Sequence, residues 1–273
     1  MKHLLSAGLL MSLFFCSGSL KAQVEKSFKQ FKNEFSKVKE GFWLGKTEVS
    51  NRDYHAFLEA VKTEVSDAEF KVLLPDTLVW RNQIGYSEPM VKFYFSHPAY
   101  QNYPVVGVSY EAALAYCKWL NMSYASLAEK KQLRKGRFRL LTPEEWKFAA
   151  QGGDTSKTYP WGTGFVRNNR GNYLANFKHD AADTSGSKGG LNDRAVYTSP
   201  VNSFFPNSFG AFNMSGNVAE LVLQKGVAMG GSYLDPAYNV RVYSKKTYTS
   251  ATADIGFRVA FISTENEIDF VKH

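Results

Sequence analysis

The chain has 273 residues, a formal charge of +8, 15% aromatic residues and two cysteines. That length suits one large domain or two small ones with a substantial core, and no repeat or low-complexity stretch is visible. Beyond the N-terminus no run of about 20 apolar residues exists, which argues against a spanning helix in a mature chain. Basic charge is interspersed and unaccompanied by any nucleic-acid motif, so no nucleic-acid partner is expected.

In chain order, Lys2 and His3 precede an apolar core, Leu4 to Cys16, and a small-residue exit, Ser17 to Ala22. Residues 1–22 are expected to be a signal peptide cleaved before Gln23, delivering the chain to the periplasm. Loss of Lys2 and Lys21 lowers the formal charge to +6 and leaves Cys117 as the single thiol, so no intrachain disulfide is available. Cys16 keeps a lipoprotein reading open, against which Phe15 stands where lipid-attachment signals want a small residue.

Val24, Phe28, Phe31, Phe35 and Val38 recur at helical spacing, predicting an amphipathic helix within residues 23–40. Its aromatic seam either packs back on its own domain or faces a partner. Gly41 to Val49 reads as a strand, and Ser50 or Asn51 caps a helix carrying Tyr54, Phe57, Leu58 and Val61. A further helix starts at Ser109 and displays Ala112, Ala113, Tyr116, Cys117 and Leu120. Lys130 to Arg139 is the densest basic run and reads as a solvated loop. Thr142-Pro143-Glu144-Glu145 combines an N-cap, a first-turn proline and a capping box ahead of Trp146 and Phe148 to Ala150. From Tyr159 onward no helical period survives. Val196-Tyr197, Gly226 to Met229 and Phe257 to Phe261 read as brief strands between ordered loops, which would need metal or packing to hold them.

Six ordered blocks resemble one family. They are Gly45-Lys46-Thr47-Glu48-Val49-Ser50-Asn51; Tyr103 to Ser109 with Tyr116 to Leu120; Arg139 to Trp146 with Tyr159-Pro160-Trp161-Gly162; Asn213 to Glu220; Gly230-Gly231-Ser232-Tyr233; and Gly256 to Ala260. Across about residues 42–262 they are similar to the formylglycine-generating, or sulfatase-modifying-factor, family. The resemblance implies an α+β fold with a C-type-lectin-like core and little regular secondary structure. It places that domain at 41–263, with an insert at about 73–103 and a tail at 264–273. It also implies two structural calcium sites. One would use Asn176, the Phe177 carbonyl, Asp193 and the Ala195 carbonyl. The other would use Asn213, the carbonyls of Gly216 and Val218, and Glu220. Carboxylate, amide and carbonyl oxygens suit calcium chemically.

Active members of that family use two cysteines as copper(I) ligands. Here those positions fall at about Asp235 and Val240, neither able to act as a soft ligand, so no copper and no catalytic residue are expected. Cys117 reads as core packing. His55, His97, His179 and His273 are scattered and support no three-histidine iron site.

Pro75 to Arg81, Tyr86 to Val91 and Tyr94 to Pro104 resemble an insert of the gliding-motility and type IX secretion proteins GldK (PorK) and GldJ. That resemblance implies a non-catalytic periplasmic scaffold bound to envelope proteins, compatible with homo-oligomers and with association at the outer membrane. The insert and the N-terminal helix would be its contact surfaces. Two alternatives stay open. One is a formylglycine-type oxidoreductase or other metal-dependent enzyme acting on exported proteins. The other is a calcium-dependent glycan- or peptide-binding module, for which Tyr233, Tyr238, Tyr243 and Tyr248 are available.

Overall fold

The computed structural model describes residues 27–82, 86–125, 136–179 and 197–263. The expected signal peptide, Cys16, Val24, Lys130 to Lys135, Asp193, Ala195, Val196, His273 and the 264–273 tail lie outside the described residues.

Short helices with strong caps open the chain. Helix α1 (Phe28–Glu34) is closed by a Ser27/Gln30 capping box and is followed at once by strand β1 (Phe35–Lys39). The expected 23–40 helix is therefore corrected. Phe35 ends the helix in an extended conformation, and Val38 belongs to a strand paired antiparallel with β2 (Phe42–Gly45). The seam packs inward: Phe31 is fully buried, ringed by Phe28, Phe35, Trp43, Tyr124, Phe138 and Phe261 with centroids 4.9–6.1 Å away. Aromatic contacts of this kind each add about 0.5–1.5 kcal/mol beyond burial.

Helix α2 (Asn51–Val61) carries the expected Ser50 cap, completed by Asp53. Helix α3 (Asp67–Leu73) follows with a Ser66/Glu69 box. The insert folds as a 3-10 turn (Thr77–Asn82), helix α4 (Glu88–Phe93) and a second turn (Pro98–Tyr100). Helix α5 (Tyr110–Ser123) starts from Ser109, and α6 (Pro143–Ala150) from the Thr142/Glu145 box, both as the caps predicted.

One antiparallel sheet has the order β1-β2-β8-β3, with β3 at Gly136–Arg139 and β8 at Ala260–Ser263. Its side chains alternate between two faces. Phe35, Phe138 and Phe261 join Tyr54, Phe57, Tyr116 and Trp119 on one side. Phe42, Leu44, Ala260 and Ile262 meet Trp146 and Ala149 of α6 on the other. The basic run ends inside this sheet, which corrects the solvated-loop reading at Arg139. That side chain is buried and donates from Nη1 and Nη2 to the two oxygens of Glu145, both at 2.7 Å.

The second sheet has the order β6-β5-β4-β7: β4 (Ala219–Leu221), β5 (Val227–Met229), β6 (Lys245–Thr247) and β7 (Ile255–Phe257). Only β4 and β7 run parallel. Tyr197 lies in a bend, not a strand. Among the described residues no helix is long and apolar enough to cross a membrane.

Candidate functional site

Two places carry the residues singled out by sequence. The first is a buried polar centre where the parallel β4/β7 pair meets the β2 end of the first sheet. Glu220 on β4 and Arg258, between β7 and β8, are both buried and ion-paired. Arg258 Nε lies 3.1 Å from each oxygen of Glu220, and Nη2 donates to Oε1 at 2.8 Å. Trp146 Nε1 donates to Glu220 Oε2 at 2.7 Å. The remaining guanidinium donors reach the carbonyls of Gly45 and Phe212 at 2.8 and 2.7 Å.

A second carboxylate, Glu48, is fully buried 3.9 Å from Arg258 Nη2. It accepts from Asn217 Nδ2 at 2.8 Å and Asn213 Nδ2 at 3.2 Å. Burial pushes its carboxyl well above the usual carboxylate range; Arg258 opposes that and Glu220 adds to it.

The loop before β4 is built for tight approach. Asn213, Gly216 and Asn217 have φ of 53°, 73° and 62°. A Cβ on Gly216 would stand 2.2 Å from the Asn176 carbonyl oxygen, which only glycine tolerates. That carbonyl accepts from Asn217 N at 2.7 Å, and Asn176 Nδ2 donates to Tyr197 O at 2.9 Å and lies 3.3 Å from Asn217 Oδ1. The structure therefore brings Asn176 of the first implied calcium set against Gly216 of the second, while Phe177 packs with Tyr159, Ala175 and Val240.

The donors divide on the question of metal. Asn213 Oδ1 is buried without a hydrogen-bond partner, the state of an acceptor that suits a cation. Glu220 is a different matter. An ionised carboxylate accepts at about four positions; here Arg258 Nε–H is shared between the two oxygens of Glu220, Arg258 Nη2 bonds Oε1 and Trp146 Nε1 bonds Oε2. In this arrangement Glu220 is the counter-ion of Arg258, with both oxygens engaged. Among the described residues no three His, Cys, Asp or Glu side chains converge as a metal site.

The second place is the segment on which the resemblance puts the family's two cysteine positions. Val240 is fully buried among Tyr159, Ala175 and Phe177. Asp235 accepts from Ser232 N and Oγ at 2.9 and 2.6 Å and pairs with Lys246 at 2.8 Å. Lys246 also pairs with Asp254, which accepts from Ser232 Oγ at 3.0 Å and Thr252 Oγ1 at 2.7 Å. An ion-pair cluster thus ties the Gly230–Asp235 loop to β6 and to the turn before β7. Lys246 is held charged: burial lowers its pKa, but Asp254 and Asp235 raise it more. A lysine so held is a poor base or nucleophile.

Cys117 is buried on α5, and burial pushes its thiol up to about 12, which leaves it inert at neutral pH. His55 stacks on Phe95 at 3.9 Å, and His97 Nδ1 accepts from Ala99 N at 3.1 Å, so both have structural work. His179 stacks on Tyr173 at 3.6 Å. Of the four tyrosines, Tyr233 is buried, Tyr248 half-buried, and Tyr238 and Tyr243 exposed.

Sequence reasoning missed Glu48 and Arg258 as functional positions, and with them Lys246 and Asp254. The available signal was a lone charge in an apolar block for Arg258, between Phe257 and Val259; Glu48 shares its block with Lys46 and had no such signal.

The model of the sulfatase-modifying factor enzyme 1-like domain family matches residues 14–262. It reaches further toward the N-terminus than the expected 42, in keeping with β1 being a strand of the first sheet. The inactive C-alpha-formylglycine-generating enzyme 2 of Bos taurus is 33% identical over 174 residues, covering 58% of this chain. The chain spans half of that relative's length. The mouse protein of the same name is 28% identical over 246 residues, covering 78% of this chain and 72% of its own. Among solved structures, PvdO from Pseudomonas aeruginosa superposes with a TM-score of 0.53 at 22% identity, covering 81% of this chain and 80% of that one, a likeness of fold. With the family's match running through both sheets and both sites, the chain belongs to the sulfatase-modifying factor enzyme 1-like domain family.

Proposed function

We propose that this protein is a non-catalytic scaffold of the type IX secretion and gliding-motility apparatus, exported to the periplasm and holding other envelope proteins. The observation that carries the non-catalytic part is Asp235. Where a redox cysteine would stand, it is a structural counter-ion of Lys246, and Val240 at the other position is buried in apolar packing. The relatives named inactive support the same reading. The secretion assignment rests on the resemblance of the insert to GldK and GldJ.

The insert has the anatomy of a contact surface. Its inner residues Val79, Trp80, Met90 and Tyr94 are buried against Val106, Val218 and Tyr233. Tyr94 Oη donates to Pro104 O at 2.6 Å, and Asn51 Nδ2 donates to Tyr94 O and Tyr100 O at 3.0 and 2.9 Å. Leu78, Tyr86 and Phe93 remain 53%, 81% and 40% exposed on that anchored frame. Large apolar side chains held outward on a fixed support are what a partner can bury. The N-terminal seam is withdrawn as a surface, because Phe31 and Phe35 belong to the core.

The test is affinity purification of the native protein from envelopes, with a Leu78→Ser/Phe93→Ser variant alongside. Stable co-purifying secretion components that are lost from the variant support the reading. A protein recovered folded and alone would overturn it.

Structural calcium is proposed at the two sets the resemblance implies: Asn176, the Phe177 carbonyl, Asp193 and the Ala195 carbonyl in one, and Asn213, the carbonyls of Gly216 and Val218, and Glu220 in the other. At the second set, binding needs Glu220 to turn an oxygen from its present donors toward the cation. Thermal midpoints in calcium and in chelator decide it: a higher midpoint in calcium supports the site, and identical midpoints remove it.

A further inference from the structure

Close to the Asp235–Val240 segment lies an arginine fixed between exposed aromatic rings. Tyr238, on the 3-10 turn Ala237–Val240, is 65% exposed, and Tyr243 is 45% exposed. The Arg241 guanidinium lies over the Tyr238 ring, 3.9 Å from its centroid, and Nη1 donates to Tyr243 Oη at 3.3 Å. Behind it, Tyr159 donates to Ala237 O at 2.9 Å and stacks on Trp161 with rings 4.9 Å apart and 4° from parallel. Val242 N donates to Thr158 O at 3.0 Å, and Ser244 N to Arg241 O at 2.9 Å. The layer is therefore assembled by the fold and not by loose side chains.

Its electrostatics are incomplete. Among the described residues, Arg241 is held by tyrosines and by no carboxylate. The neighbouring acid, Asp235, is committed to Lys246. Lys178, exposed and bridged through its backbone to Pro236, and Lys245, exposed on β6, add positive charge nearby. A guanidinium presents a planar fork of donors that matches a carboxylate, and pre-positioning lowers the entropy lost on binding.

We propose that Trp161, Tyr238, Arg241 and Tyr243 form a binding platform for an acidic polysaccharide of uronic-acid type. A pyranose ring has an apolar C–H face that suits stacking on tyrosine, hydroxyls at its rim that suit Tyr and Ser partners, and in uronic acids a carboxylate for Arg241. An acidic peptide fits less well, because the Ala237–Val240 backbone is a 3-10 turn with no strand ladder to extend. The platform uses none of the residues of the buried centre and is independent of the scaffold reading.

Isothermal titration of the protein with an oligogalacturonate tests this, with a malto-oligosaccharide of equal length and poly-L-glutamate as comparisons. The expected result is binding of the oligogalacturonate that weakens with added salt, and at least tenfold weaker binding of both comparison ligands. Tyr238→Ala and Arg241→Gln are each expected to lose at least tenfold in affinity with an unchanged thermal midpoint, and Leu78→Ser to lose nothing. If Arg241→Gln fails to fold, Tyr238→Ala, at a largely exposed position, still decides. No binding of oligogalacturonate, equal binding of poly-L-glutamate, or full affinity in the Tyr238→Ala variant would overturn the proposal.

Discussion

Arg258 is charged and wholly enclosed, so its stability contribution comes from the partners that replace water. Glu220 and the carbonyls of Gly45 and Phe212 do so. Removing one member of such a set leaves an uncompensated buried charge, a loss of about 3–5 kcal/mol. Arg258→Met is expected to lower the urea-unfolding free energy by about that amount, and Glu220→Gln likewise, since it leaves Arg258 without its counter-ion and turns an amide NH2 toward an N–H donor. Comparable stability of Arg258→Met and the parent would contradict the network. Asp254 carries a pH signature. Burial raises its carboxyl, but Lys246, Thr252 and Ser232 together hold it below the usual value. Its stabilisation is present above the ordinary carboxylate pKa of about 4 and is lost as pH falls through the lowered folded value. The gap in thermal midpoint between the parent and Asp254→Asn should therefore be full at pH 6 and close below pH 4. A gap independent of pH would show that the ion pair is not its source. At this scale little was legible: Glu48 and Arg258 lie more than 200 positions apart in sequence, and no local pattern couples them.

Caps and turns made the elements legible. Ser50, Ser109 and Thr142 announce α2, α5 and α6 because side-chain capping is a local event. The N-terminal seam misled for a physical reason. Phe31 and Phe35 share one core cluster, so they satisfy a helical spacing, yet Phe35 reaches that core from a strand. Short apolar sets of this kind fit either period until the neighbouring strand decides. Helix α3 and the insert helix α4 escaped because they span only seven and six residues. Phe31→Ala is expected to cost about 3–5 kcal/mol, the range for a large aromatic removed from a packed interior. Equilibrium unfolding measures it, and a loss under 1 kcal/mol would return α1 to the surface as a free contact helix.

At the scale of the molecule, the family fold was legible because its motif blocks are contiguous in sequence, while the fate of its chemistry needed coordinates. Absence of cysteine could be read from Asp235 and Val240. That Asp235 is instead a member of a Ser232–Lys246–Asp254 cluster could not, since the partners come from three separate segments. The central proposal is that this domain keeps the family architecture and carries a structural ion cluster where the resemblance puts the redox centre of active members. The most direct test incubates the purified protein with copper(I), oxygen and a cysteine-containing sulfatase-type peptide, and follows the peptide by mass spectrometry. The expected result is a peptide that keeps its thiol at every time point; enzyme-dependent appearance of the aldehyde would contradict the account.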